Sequence, residues 1–226
     1  MKRLYDITPF TLLDYPDLPA AILWFAGCNL RCSYCYNPDI VLSRGTISEE
    51  SALTFLTTRK GLLEGVVLSG GECTLYPNIL PFCHAIKSLG FKIKVDTNGM
   101  RPDVLKTLLD EHLIDTVALD YKTTQTHWDD LCAGGSEALF WKSFEHLKKS
   151  HIHFEVRTTV HTGLIDETTV HEMATKLQAA GYTGVYALQS FLNGCETLKP
   201  LTSDKHLWSL DSLQSRLNIP IIHRKL

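Results

Sequence analysis

Cys28, Cys32 and Cys35 stand at C-x3-C-x2-C in the run Gly27-Cys28-Asn29-Leu30-Arg31-Cys32-Ser33-Tyr34-Cys35-Tyr36-Asn37. Thiolates at such spacing bind metal, and a structural zinc or a cubane iron–sulfur cluster usually takes four ligands. This loop supplies three. For zinc, the fourth ligand would be His84 or Cys73, and the sequence has no second C-x2-C pair. A redox C-x-x-C uses Cys32 and Cys35 and leaves Cys28 unexplained. Three thiolates can instead hold three irons of a four-iron cluster and leave the fourth open to a substrate or cofactor, as in an open catalytic metal site. The other four cysteines are scattered. Cys73 and Cys83 read as small buried side chains. Cys132 and Cys195 lie beside Gly134-Gly135 and Gly194, where a redox or partner role is the alternative to a plain loop cysteine.

A second set of polar residues ends the apolar runs. GVVLSGGE closes on Ser69-Gly70-Gly71-Glu72, FKIKVDTNG on Asp96-Thr97-Asn98-Gly99 and TVALDYK on Asp120-Tyr121-Lys122. FEVRTTVH carries Arg157 within it and His161 at its end, and ILWFAGC runs straight into the cysteine loop. Any one of these residues also reads as a turn residue or helix cap. Five together read as one rim, because parallel α/β folds build their sites at the carboxyl ends of strands.

The elements that must position this rim are legible. Strands are expected over 20–26, 65–69, 91–96, 116–120, 154–160 and 185–189, with a weaker one over 219–223. They are nearly all apolar, as in parallel sheets covered on both faces. Helices fall between them. Thr46 or Ser48 caps the first, which carries Leu53, Phe55 and Leu56. Pro77 opens the second and Gly90 ends it, and Pro102 opens the third. Others are expected over about 136–150, 167–180 and 203–217. Six strand–helix repeats predict a parallel α/β fold. An eight-unit barrel needs about 250 residues, so a partial, open (β/α)6 barrel is expected, with a doubly wound sheet as the alternative. The whole chain reads as one domain: a short N-terminal extension (1–19), a barrel core (20–191), then a C-terminal helix and tail (192–226).

Bulk properties narrow the function. The 226 residues suit a single core, and the net charge of −3 lacks the basic excess of a nucleic-acid binder. No secretory signal is read at the start, and the apolar run at 20–26 is far below the roughly 20 residues of a membrane span. An odd count of seven cysteines with one tight cluster argues against a disulfide framework and for a reducing, cytoplasmic setting.

C-x3-C-x2-C after a first strand, with Gly70-Gly71-Glu72 after a second, resembles the radical S-adenosylmethionine (SAM) superfamily. LLDYPD (12–17), WFAGCNLRC, YCYNPDIV, RKGLLEGVVLSGGE (59–72), DTNG and VRTTV–TG resemble the activating enzymes of glycyl radical enzymes. The similarity is greatest to the activating proteins of anaerobic ribonucleoside-triphosphate reductase. Cys73 departs from the proline usual after GGE, and Tyr36 from the histidine common after the third cysteine.

The resemblance implies one [4Fe-4S] cluster on Cys28, Cys32 and Cys35, with SAM chelating the open iron. Gly70 and Gly71 would let backbone approach the methionine moiety, and Glu72 would meet its ammonium. Asp96 and Asp120, with backbone oxygens of Thr97 and Ala118, would hold a monovalent cation beside the SAM carboxylate. Lys122 would neutralise the same cluster, and Arg157 would reach SAM. Asn98 and Tyr34 are candidates for ribose and adenine, Gln189 for the pocket wall and His161 for substrate access. The implied reaction is reductive cleavage of SAM, fed by a one-electron donor such as flavodoxin or ferredoxin. The resulting radical takes hydrogen from a glycine of a partner, foremost anaerobic ribonucleotide reductase. Activation of pyruvate formate-lyase, or chemistry on a small molecule, is the alternative. No second cysteine cluster lies between Cys35 and Gly70.

Overall fold

The computed structural model describes residues 3–204 and 217–224. In chain order the elements are β1 (Leu4–Thr11), β2 (Ala20–Phe25), β3 (Arg31–Cys32), α1 (Pro38–Leu42), α2 (Glu49–Thr57), β4 (Gly65–Gly70), α3 (Ile79–Ser88), β5 (Lys92–Thr97) and α4 (Pro102–Asp110). They continue with β6 (Thr116–Asp120), α5 (Trp128–Leu131), β7 (Cys132–Ala133), α6 (Glu137–Ser150), β8 (His153–Val160), α7 (Glu167–Ala179), β9 (Tyr186–Ser190) and β10 (Ile221–Arg224).

The main sheet runs β1-β2-β4-β5-β6-β8-β9-β10. All its neighbouring pairs are parallel except β1 with β2. This is the expected open α/β barrel, with two additions. The N-terminal extension forms an antiparallel edge strand, and the weak candidate near residue 220 joins as a further parallel strand. The helix expected over 203–217 falls almost wholly outside the described residues. Among the described residues, no helix is long and apolar enough to cross a membrane.

Local chemistry sets the helix starts. Side chains of Ser48, Ser136 and Asp166 accept from the backbone N–H of Ser51, Leu139 and Thr169 and so cap α2, α6 and α7. Proline opens α1 and α4, where its missing N–H has no cost.

The pleat sorts the strands into two faces. Ile93 and Val95 of β5, Val117 and Leu119 of β6 and Val156 of β8 enter the large core under the helices. Opposite them, Lys94, Asp96, Ala118, Asp120, Glu155 and Arg157 alternate along the same strands. Toward the start of β2 the inner face is apolar, with Tyr15, Ala20, Ile22 and Val67 packed together. Tyr15, from the LLDYPD run, lies over Gly65, where an added Cβ would be 2.7 Å from its ring. The sheet thus carries an apolar floor at one end and a charged inner face along β5, β6 and β8.

Candidate active site

The carboxyl ends of the central strands border one cavity of about 270 Å³. Cys28, Cys32 and Cys35 line it together with Gly70, Gly71, Asp96, Thr97, Asn98, Asp120, Lys122, Arg157, Gln189 and Tyr34. Of the residues expected there, Glu72, Ala118 and His161 do not line it.

The cysteine loop is fastened from three directions. Gly71 N–H donates to Phe25 O at 2.8 Å and Glu72 N–H to Gly27 O at 2.9 Å. A Cβ on Gly71 would lie 2.0 Å from Gly27 O, and one on Gly70, at φ +115°, would lie 2.5 Å from Phe25 O. The two glycines are therefore required by the chain itself: they let the end of β4 close against the start of the loop. From a second side, β3 pairs with β7, and Ser33 N–H donates to Leu131 O at 2.9 Å. From a third, Leu198 N–H reaches Cys35 O at 3.1 Å and Lys199 N–H reaches Ser33 O at 3.2 Å. Arg31 folds back onto Cys28 O and Leu30 O at 2.7 and 2.8 Å.

The donor set suits a cluster. Leu30 N–H lies 3.4 Å and Asn98 Nδ2 3.7 Å from Cys28 Sγ, and sulfurs of iron–sulfur sites accept such bonds. Burial, with the nearby Glu72 charge, pushes the Cys28 thiol up to about 12. The hydrogen bond from Cys132, with burial, raises Cys32, and burial raises Cys35. Such thiols stay protonated until a metal takes the proton's place. Among the described residues, no three His, Cys, Asp or Glu side chains gather tightly enough for a single metal ion. The two residues expected as a fourth zinc ligand both lie away from the triad. His84 sits at the surface, 2.9 Å from Glu111, and Cys73 is buried with its Sγ toward Asp96 O at 3.6 Å.

Several placements differ from expectation. The Glu72 carboxylate is turned inward, accepting from Thr74 N at 3.2 Å, Thr74 Oγ1 at 2.5 Å, Thr97 Oγ1 at 2.7 Å and Asn98 N at 2.8 Å. Burial raises its pKa against these bonds. It braces the end of β5. The Asn98 amide donates to Asn29 Oδ1 at 2.9 Å, tying β5 to the cysteine loop. Tyr34 is only 3% exposed, its ring within the core, whereas Tyr36 is half-buried at the cavity wall. His161 is buried against Phe191, with Nε2 2.8 Å from Thr202 O, and anchors the chain there. Ala118 is fully buried, paired in register with Asp96.

Asp96 and Asp120 sit in a charged row that sequence alone showed only in part. Arg157 spans both, with Nε 2.9 Å from Asp120 and Nη1 3.5 Å from Asp96. Lys122 lies 3.1 Å from Asp120, Ser69 Oγ 3.1 Å from Asp96, and Lys94 bonds Asp96 from below. Burial works to raise both carboxyls, but Arg157, followed by Lys94 for Asp96 and Lys122 for Asp120, outweighs it and holds both low. Asp120 in turn holds Lys122 and Arg157 charged despite their burial. The expected monovalent cation does not fit this arrangement, because its two carboxylates already face three cationic side chains. Lys94 was missed because KIKVD reads as an apolar strand with solvated lysines; only the pleat puts Lys92 outside and Lys94 within. Cys132, read from sequence as a loop cysteine with a redox or partner role as the alternative, lies on β7 opposite Cys32. The β3–β7 pair brings its sulfur to 2.7 Å from Cys32 Sγ.

Comparison with known proteins agrees with this geometry. Residues 22–175 match the radical SAM superfamily. A Methanocaldococcus jannaschii protein named as a glycyl-radical enzyme activating enzyme is 31% identical over 202 residues, covering 84% of this chain and 81% of that one. The pyruvate formate-lyase-activating enzyme of Clostridium pasteurianum is 35% identical over 140 residues, 58% of this chain and 55% of its own length. Among solved structures, native anSMEcpe with bound AdoMet superposes with a TM-score of 0.64 at 17% identity, over 87% of this chain and 61% of that one. At that identity the likeness concerns the fold. The chain belongs to the radical SAM superfamily and, within it, to the glycyl-radical enzyme activating enzymes.

Proposed function

We propose that this chain installs a glycyl radical on an anaerobic, class III ribonucleoside-triphosphate reductase. The supporting observation is the meeting of three cysteine thiols and the Asp96–Arg157–Asp120–Lys122 row at one cavity. Cys28, Cys32 and Cys35 hold one [4Fe-4S] cluster and leave an iron for SAM. When bound, the cluster supplies the electron that splits SAM into methionine and a 5′-deoxyadenosyl radical. Arg157 and Lys122 orient the SAM carboxylate with the one positive charge that they and Lys94 together hold in excess over the two carboxylates. Gly70 and Gly71 keep the β4 edge free of side chains where it borders the cavity, and Tyr36 and Gln189 complete the wall. The apolar floor at Tyr15 excludes water from below. The partner glycine gives up its Cα hydrogen to the radical, which leaves as 5′-deoxyadenosine. The electron donor is a flavodoxin- or ferredoxin-type protein, the setting cytoplasmic, and the whole chain acts as one domain. The LLDYPD run and the extended activase-like segments favour the activase reading over chemistry on a small molecule.

The test is anaerobic reconstitution followed by mixing with SAM, a reductant and a class III reductase. About four irons per chain, formation of 5′-deoxyadenosine and a glycyl radical doublet by EPR are expected. Each single Cys→Ala change at 28, 32 and 35 abolishes all three. A doublet with pyruvate formate-lyase only would reassign the partner, and turnover of a small molecule with no doublet would replace the activase role.

A further inference from the structure

Lys94 and Asp96 are two residues apart on β5, so both side chains project from the inner face. The Lys94 side chain is 4% exposed and bonds one oxygen of Asp96. The other Asp96 oxygen takes Ser69 Oγ at 3.1 Å and Arg157 Nη1 at 3.5 Å. On Asp120, one oxygen takes Arg157 Nε at 2.9 Å and the other Lys122 Nζ at 3.1 Å. Every carboxylate oxygen of the pair therefore already receives a donor. A monovalent metal ion is held by oxygens whose lone pairs remain free and whose summed charge is negative. The charge condition is not met here, because three cationic side chains already face the two carboxylates. A buried ammonium, in contrast, stays inside only when paired with a carboxylate, which is the position Lys94 has.

We propose that the Lys94 ammonium takes the place of a monovalent metal ion beside Asp96, so that SAM is bound without help from sodium or potassium. This rests on the SAM-binding role proposed above. Lys94 is a positioning residue: it acts through Asp96 on Arg157, and the three cationic groups together leave one positive charge for the ligand carboxylate.

The experiment compares SAM affinity of the reconstituted protein in choline chloride, sodium chloride and potassium chloride at equal ionic strength. Wild type is expected to bind equally, within about twofold, in all three. Lys94→Met is expected to bind about tenfold more weakly in choline and to recover in sodium or potassium, because the freed Asp96 oxygen then accepts a metal ion. Lys94→Gln serves as the second variant if the methionine protein does not fold. Rubidium-soaked crystals, read by anomalous density, give a signal independent of activity: no peak between Asp96 and Asp120 in wild type, and one in the variant. A wild-type affinity that collapses in choline, a rubidium peak in the wild type, or a variant indifferent to the salt overturns the proposal. Failure to bind SAM in any salt overturns the SAM-binding role itself, and is distinguishable because it is the same in all three.

Discussion

Asp120 illustrates how tightly single residues are constrained here. Its carboxylate is the shared partner of Arg157 and Lys122, whose side chains are 14% and 17% exposed. Asp120→Asn removes that charge and leaves two buried cations facing each other, so a loss of about 3 kcal/mol is expected in urea unfolding of the cluster-free protein. A loss below about 1 kcal/mol would mean that solvent screens the row. Gly71 is constrained by space instead of charge. Gly71→Ala puts a methyl group 2.0 Å from Gly27 O, and only movement of the cysteine loop can relieve the clash. Reconstituted Gly71→Ala is expected to retain well under half the iron of wild type, and to lose about 1–3 kcal/mol of stability. Full iron retention would show that the loop closes without the β4 clasp.

Elements differ in how much of the site they carry. Helix α7 lies outside the cavity, and Asp166 caps it. Asp166→Ala should cost about 1 kcal/mol, or about 2–4 °C in melting temperature, without changing iron content. The segment after β9 behaves in the opposite way. It holds no regular structure over 191–204, yet two of its N–H groups are bonded to carbonyls of the cysteine loop. Leu198→Pro deletes one of them. Iron loss to a chelator is expected to quicken about fivefold with little change in melting temperature. An unchanged rate would assign the fastening to β7 and β4 alone. The edge strand β10 is tied to the same inner face through Arg224, whose guanidinium meets Glu155 at 2.7 and 3.0 Å.

At the scale of the whole molecule, charge and burial set the pH range of stability. Asp96, Asp120 and Asp166 have folded pKa values below their ordinary 3.8. Their contribution is complete above that value and is lost as pH falls through the lowered folded values. Cys83, pushed to about 12 by burial, and Cys73, also raised, act on the other side. Their contribution is complete below the ordinary 9.0 and is lost as pH rises toward the folded values, since the unfolded chain ionises first. Buried Glu72 acts the other way from the three Asp residues, since its raised carboxyl costs stability as pH climbs from its ordinary 4.5 through its folded value. Cluster-free protein should therefore show its plateau above that titration and below about pH 9, checked by urea midpoints across pH. A midpoint still rising above pH 9 would contradict the buried placement of these thiols. The same molecule shows where sequence reasoning stops. C-x3-C-x2-C, the glycines after GVVLS and the acidic strand ends were legible because each needs only local spacing and the period of a strand. So were the strand–helix repeats, since apolar runs and caps are local too. What β1 does, where Cys132 lies and how Leu198 fastens Cys35 were not, because pairing partners distant in the chain leave no local period. Lys94 was hidden for a related reason: an amphipathic side chain in an apolar strand is solvated or buried according to which face closes into a barrel. The sequence by itself determined which ligands and strand ends exist. Only the tertiary structure decided that Glu72 braces, that Asn98 ties two loops, and that the carboxylate pair is already neutralised, because those outcomes depend on which side chains the parallel register sets opposite one another.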